Sequence, residues 1–417
     1  MSLCQALAQS CSSPFWGTLI DRGHSAKALL VMGSVAWGVC TISLAFTSTL
    51  RTMLMLRILN GVALATLMPV SQAIIGDLTL PSDRGKYFGF VGFATCMGSV
   101  LGSVLTTSIA NRMMFGIMGW RVAFAIVGGC SFLLASLLSN FLVDHRKFGY
   151  RDSSCSEEVA TFLGFFRVRS FVVIVMQGCF GSVPWSAMQF LTMFYQYAGI
   201  PDGQAGLLTS CSMVCGAFGN IAGGLIGDRL TLWSRFHGRP LTAQISVFAG
   251  IPIIFATLHL VPREPSSFVY YLLLQAMLGL CATWTCAGVN RPLLTEVVPQ
   301  SHQARILAWL VALEGSSSAC FGAPFVGYLA EHYFGYRPQR MASAMIPEAV
   351  REANTHALAC GMLVMTVLPW LACFMSYSFL HITYQKDVED LQAQERNAAT
   401  SSLRAKAAGV EVATMKM

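Results

Sequence analysis

Apolar runs alternate with short polar segments along nearly the whole of this 417-residue chain. A helix rises ~1.5 Å per residue, so about 20 apolar residues cross the ~30 Å hydrocarbon core of a bilayer. Eleven stretches have roughly that length: 2–20, 26–47, 52–76, 87–109, 120–143, 171–198, 205–227, 241–261, 268–294, 306–330 and 357–384. None shows the two-residue alternation of a barrel strand, and helices satisfy their own backbone groups in lipid. The pattern predicts an all-α polytopic membrane protein with 11 spanning helices.

Composition agrees. Hydrophobic residues make up 54% of the chain and charged residues 11%, against about 25% charged in a soluble domain. Lipid must therefore cover most of the surface. Sorting alternate loops by their Lys and Arg puts 18 on one side, tail included, and 7 on the other. The positive-inside rule makes the first side, and the carboxyl tail, cytoplasmic. An odd number of spans then leaves the amino terminus outside with nothing resembling a signal peptide. The expectation is one more helix ahead of Met1 in the intact protein, giving six plus six.

Other chemistries find little support. The 14 cysteines form no C-x-x-C pair, and Cys211 and Cys215, one turn apart, read as small packing residues. His24, His237, His259, His302 and His332 are scattered, with no H-E-x-x-H. No metal, cofactor or enzyme activity is expected. The net charge of +7 belongs to loops and not to a nucleic-acid surface.

A repeat divides the chain. Gly17-Thr-Leu-Ile-Asp21-Arg22 and Gly224-Leu-Ile-Gly-Asp228-Arg229 both read G-x-x-x-D-R at the same end of a membrane helix. Asp77…Pro81…Arg84 and Glu296…Pro299…Arg305 form a second pair. Repeats of this kind mark carriers built from related halves. The expected units are 1–143, a linker 144–170, a second bundle 171–384 and a tail 385–417. Phe162-Leu-Gly-Phe-Phe166 in the linker fits an amphipathic stretch on the inner membrane face. A helix is expected to begin near Pro347, and the tail to be helical and then disordered.

With Gly17, Asp21, Arg22 and Lys27, and the glycine-spaced Gly92, Gly98 and Gly102, the sequence resembles the major facilitator superfamily over essentially its whole length. Within it the sequence is most similar to spinster-like transporters of plants and algae. That likeness is carried by Gln177-Gly-Cys-Phe-Gly-Ser-Val-Pro-Trp-Ser-Ala-Met-Gln189, Gly223-Gly-Leu-Ile-Gly-Asp-Arg229, Gly288-Val-Asn-Arg-Pro292 and Glu314-Gly-Ser-Ser-Ser318. The resemblance implies two pseudo-symmetric six-helix bundles, with the first apolar segment here as the second helix of twelve. It implies secondary transport of a small organic or amphipathic solute by rocker-switch alternating access, in a monomer within a lipid bilayer. Protons are a candidate for coupling. A non-transporting receptor or scaffold of the same fold and, less favoured, a membrane-embedded enzyme are the rival classes. No convergent set of acid, base or metal groups supports the enzyme.

Candidate residues follow. Asp21 would meet the positive end of the helix starting near Arg305, and Asp228 that of the helix starting near Arg84. Arg22 and Arg229 would pair with Asp77 and Glu296 across the seam between the halves. Such contacts, with Gly17, Gly224 and Lys27, would latch the inner side shut; the bland alternative is that these charges only solvate loops and fix topology. Cavity-facing helices in the family place Asn60, Met68, Gln72, Gln177, Trp185, Gln189, Gln275, Trp284 and Asn290 on the solute path, although each alone is equally a packing residue. Arg57, in Arg57-Ile-Leu-Asn-Gly61, would bind an anionic group or find a structural partner. Glu314, near midplane, is either paired or protonated, and in the second case suits coupling. The family often carries a coupling acid where this chain has Val62, Ala63 and Leu64. Gly92, Gly98 and Gly102, like Gly216, Gly219 and Gly223, should let helices approach closely.

Overall fold

A computed structural model describes residues 2–78, 84–109, 113–114, 116–143, 160, 163–298, 303–338 and 347–414. The first half contains α1 (Ser2–Asp21), α2 (Ala26–Phe46), α3 (Leu50–Leu64), α4 (Leu67–Leu78), α5 (Arg84–Ile109) and α6 (Gly119–Phe141). A two-stranded hairpin, β1 (Met113–Met114) and β2 (Ile117–Met118), joins α5 to α6. The second half contains α7 (Arg169–Ala187), α8 (Leu191–Tyr197), α9 (Asp202–Trp233), α10 (Gly238–Phe255), α11 (Phe268–Ala282), α12 (Arg291–Val297), α13 (Gln303–Phe321), α14 (Ala323–His332) and α15 (Glu348–Thr414).

Every predicted span is helical, and several spans are made of two pieces. α3 and α4 are one span broken at Ala65 and Thr66. A 3-10 turn at Met188–Phe190 joins α7 to α8. A π-helical turn at Cys286–Asn290 leads from the α11 side into α12, and Gly322 separates α13 from α14. Among the described residues, nine helices are both long and apolar enough to cross a membrane. α1 is not among them, because Gln5, Gln9, Ser10, Ser12 and Ser13 dilute its apolar content.

The helices form two bundles. The second has a continuous core that includes Phe171, Phe194, Tyr195, Tyr271, Leu278, Trp370 and Tyr377. The first has a smaller one around Ile20, Leu29, Leu30 and Val70, and between α2 and α6 it relies on backbone approach. There Gly38 and Gly128 face each other, and the Ser131 hydroxyl donates to the Ser34 carbonyl at 2.6 Å. The bundles meet along α1 against α13 and α5 against α9.

α7 is fastened to α15 at its first turn. The Ser170 N–H donates to Asp387 Oδ2 at 2.6 Å, and the Ser170 hydroxyl donates to Thr383 Oγ1 at 3.1 Å. This supplies one of the acceptors that a helix start lacks. At the other end of α15, the Asn354 side chain pairs with both the N–H and the carbonyl of Arg337.

Two expectations need correction, close packing at Gly98 and Gly102 and a disordered end to the tail. Gly216, Gly219 and Gly223 do pack closely, since a Cβ there would run into Gly279, Thr283 or Trp284. Gly98 and Gly102 have nothing within 4 Å. α5 makes its main described contacts with α9 of the other bundle and leaves these two positions open. Residues 144–159, 161 and 162 lie outside the described residues; of the rest of the linker, Phe165 is buried edge-on against Phe171 of the second bundle. Leu163 and Phe166 stay exposed. The tail continues as helix to Thr414, because its Leu-Arg-Ala-Lys-Ala-Ala run consists of strong helix formers. The helix start near Pro347 is observed, at Glu348.

A side chain at Gly219 must displace backbone, and overpacking of this kind costs about 1–3 kcal/mol. Gly219→Val is expected to lower the melting temperature of detergent-purified protein in a fluorescence-detected size-exclusion assay. Gly98→Ala should leave it unchanged.

Candidate functional site

The seam between α1 and α13 determines where solvent can enter. The two helices run antiparallel, with small residues facing each other. A Cβ added to Gly17 would come within 3.2 Å of the Ala308 Cβ, and one added to Gly315 would strike the Ser10 side chain. Gly17 is one turn from Asp21, so the seam is packed at the end that carries the G-x-x-x-D-R repeat. Beyond it a cavity of about 290 Å³ opens between the bundles. Ala6, Gln9, Ser10 and Ser13 of α1 line one wall, with Ala65 and Met68 at the break between α3 and α4. Ser186 and Gln189, then Val311, Gly315, Ser318 and Ala319 of α13, line the other.

The break has a local cause. The Thr66 hydroxyl donates to the Ala63 carbonyl at 2.8 Å, and Thr66 fills the space that Gly33 leaves on α2. The Val62 carbonyl accepts from Trp16 Nε1 at 3.0 Å. A polar side chain thus satisfies backbone next to the kink, as membrane burial requires. The kink turns Ala65 and Met68 toward the cavity.

Of the expected path residues, Gln189 lines the cavity, as does Met68. Trp185 is partly exposed and meets Trp370 edge to face at 6.1 Å. The others lie inside their own bundles. Arg57 Nη1 donates to Gln5 Oε1 at 2.7 Å and the guanidinium lies 5.1 Å from the centre of the Phe124 ring. Asn60 donates to Thr41 Oγ1 at 2.8 Å and accepts from Gln5 Nε2 at 2.9 Å. Gln177 donates to the Ile174 carbonyl and accepts from the Cys373 thiol. Gln275 is buried beside Tyr195. Trp284 Nε1 donates to the Leu280 carbonyl, and Asn290 accepts from the Tyr377 hydroxyl at 2.7 Å. The Gln72 side chain lies outside the described residues. Glu314 is partly buried; its carboxylate packs where a Cβ on Gly178 would sit, and Arg291 is close enough to act on it electrostatically.

Gln9, Ser10, Ser13, Ser186 and Ser318 also line the cavity and were not among the residues expected from the sequence. The polar content of α1, unusual for a spanning helix, was the available signal.

At the repeat end of the second bundle, Arg239 is the hub. It lies 3.5 Å from Asp228 and 3.8 Å from Glu296, and Glu296 also accepts from the Tyr384 hydroxyl. The Arg239 side chain is 15% exposed and that of Asp228 71% exposed. Glu296 was expected to meet an arginine of the repeat across the seam; it meets Arg239 of its own bundle instead, because Arg239 lies on the first turn of α10, facing the ends of both α9 and α12. Lys27 has the matching position on the first turn of α2, so Arg239 is its repeat equivalent. Close by, His237 Nδ1 and His381 Nδ1 are 2.9 Å apart, and His381 Nε2 is 3.1 Å from Gln244 Oε1. In the first bundle, Gly17 is in the seam, and Arg22 and Lys27 are partly buried. The side chains of Asp21, Asp77, Arg84 and Arg305 lie outside the described residues, and a Cβ on Gly224 would meet nothing within 4 Å. Among the described residues, no group of three or more His, Cys, Asp or Glu gathers as a metal site.

Three comparisons bear on these features. The family model for the Major Facilitator Superfamily matches residues 1–323. A probable sulfoacetate transporter, SauU, of Cupriavidus necator is 26% identical over 252 residues, which is 56% of this chain and 56% of that protein. Multidrug resistance protein 2 of Bacillus subtilis is 24% identical over 344 residues, 79% of each chain. The chain thus spans little more than half the length of the first of these relatives. Among solved structures, a bacterial homolog of the human lysosomal transporter Spinster, inward-facing and unoccupied, superposes with a TM-score of 0.69 at 16% identity, covering 92% of this chain and 95% of that one. A D-xylose–proton symporter gives 0.63 at 16% identity, covering 88% and 85%.

Removing the hub should expose which arginine matters. Exposed ion pairs are worth about 0.2–1 kcal/mol each, and Arg239, largely buried, leaves two carboxylates unpaired when lost. Arg239→Ala is expected to lower the melting temperature clearly more than Arg229→Ala, with Arg239→Lys intermediate, in the same detergent assay.

Proposed function

The chain belongs to the major facilitator superfamily, a family of multi-pass membrane transporters, and from that premise we propose that it is a secondary transporter moving a small organic or amphipathic solute by alternating access. The observation that carries this reading is the cavity between the bundles, walled by both of them and sealed toward one end by Gly17 against Ala308. A binding space reached from one side at a time is what a rocking pair of bundles requires.

We read the sealed end as cytoplasmic, because the loops there carry the excess of Lys and Arg, and the carboxyl tail lies on that side. The functional units are 1–143 and 171–384, with 144–170 as linker and 385–417 as tail. Small residues along α1 and α13 let the two units roll over each other with little interdigitation. The latch at the inner rim is assigned to Asp228, Arg229, Glu296 and Arg305 of the second unit, with Arg239 bridging Asp228 and Glu296, and to Asp21, Arg22, Lys27, Asp77 and Arg84 of the first. The contacts of Arg239 with Asp228 and Glu296 lie within the second unit and order its rim; contacts that cross between the units, made only when the inner side is closed, would bias the equilibrium toward that state. Glu314 is the carboxylate on a seam helix that is available for proton coupling. The names of the relatives speak of sulfoacetate, drugs and a pentose, which supports an organic solute.

Counterflow decides between this reading and its rivals. Protein in tight proteoliposomes, preloaded with a mixture of unlabelled metabolites, should accumulate a labelled member of the mixture against its gradient. Specific binding without flux means a receptor of the same fold, and chemical turnover means an enzyme. The latch is tested separately: Asp21→Asn and Asp228→Asn should each raise, several-fold, the rate at which an inside-delivered maleimide labels a Ser13→Cys reporter. Unchanged labelling counts against a latch role.

A further inference from the structure

The chemistry of the cavity wall narrows the solute, and this step rests on reading the cavity as the solute path. No ionisable side chain is found among the described residues that line it. Its polar side chains are neutral amides and hydroxyls: Gln9, Ser10 and Ser13 on one bundle, Ser186, Gln189 and Ser318 on the other. Ser318 already donates to the Ser182 carbonyl at 3.0 Å. The side-chain amides of Gln9 and Gln189 form no hydrogen bond with other described residues, so their donors and acceptors are available to whatever occupies the space.

The two ionisable side chains in the neighbouring span segments are engaged elsewhere. Arg57 is held by Gln5 and the Phe124 ring, and Glu314 packs against Gly178 under the influence of Arg291. An ion entering such a space gives up hydration and meets no opposite charge among the described lining residues, which is costly in a low-dielectric interior. A neutral solute exchanges hydrogen bonds to water for hydrogen bonds to Gln and Ser with little net loss. Size adds a limit: about 290 Å³ lies at the bottom of the ~300–1,000 Å³ range of pockets for drug-sized ligands.

We propose that the cavity binds an uncharged, hydrogen-bonding solute smaller than a typical drug, bridged between Gln9 and Ser13 of the first bundle and Gln189 of the second. It is not built for an organic anion such as the one in the name of the Cupriavidus necator relative. Because the amides belong to opposite bundles, one solute touches both moving parts.

The test measures what the cavity admits, without knowledge of the natural solute. Gln189→Cys, and in a second protein Gln9→Cys, are placed in a background with the native cysteines replaced, and reconstituted in vesicles. Methanethiosulfonates bearing a hydroxyethyl, a sulfonatoethyl or a trimethylammonioethyl group are applied from outside the vesicles to the population with the cavity facing out. Rates are divided by those with a free thiol. The neutral reagent is expected to react at least tenfold faster than either charged one at both positions. Equal or faster reaction of either charged reagent at the two positions overturns the proposal while leaving the path itself intact. If no reagent reaches either cysteine while a control in the exposed loop on the open side, Ser266→Cys, reacts, the cavity is no path and both readings fall.

Discussion

Everything else in this structure depends on how closely α1 and α13 approach. At Gly17 and Ala308, and again at Gly315 and Ser10, small residues face small residues. In a membrane there is little hydrophobic drive between helices, so close packing of small side chains has to supply the contact. A seam of this sort is tight, yet it holds few side chains that must unlock before the surfaces slide. Sealing at one end and a cavity beyond it are two results of the same contact. A larger residue at Gly17 would separate the bundles where they now touch.

The two halves use different means to hold together. The second bundle has a deep aromatic core, with Tyr195, Tyr271, Tyr377 and Tyr384 fully buried. The first joins α1, α2 and α3 through a polar cluster, Gln5 with Arg57 and Asn60, and Asn60 with Thr41. Buried polar clusters specify geometry when every member is satisfied. Of the two partners the sequence allowed Arg57, an anionic group or a structural one, this conformation has the second: the guanidinium is held by the Gln5 amide and the Phe124 ring.

The spans were legible from the sequence because lipid demands long apolar runs, and none of the 11 failed to appear as helix. The cavity wall was much less so. In a soluble helix the apolar face points inward, which tells the reader which residues are buried. In a membrane both the lipid face and the core face are apolar, and that signal is lost. Gln177, Gln275 and Asn290 were thus assigned to suitable helices, but they are buried in the bundle interior; of the three glutamines expected on the path in this bundle, Gln189 lines the space. Arg239 escaped notice for a different reason. α1 stops at Asp21, whereas α9 runs past Asp228 to Trp233, so the second basic residue falls further along the chain than its counterpart Lys27.

The hold of α15 on the start of α7 has a mechanical consequence. With Ser170 bonded to Asp387 and Thr383, α7 behaves as a cantilever: clamped at its root, it cannot translate on its own and can yield only further along. Its compliant point is the 3-10 turn at Met188–Phe190, where hydrogen-bond geometry is poorer than in the α-helix. Gln189 sits in that turn. The amide best placed to touch an occupant is therefore mounted on the joint through which the tip of the beam would flex.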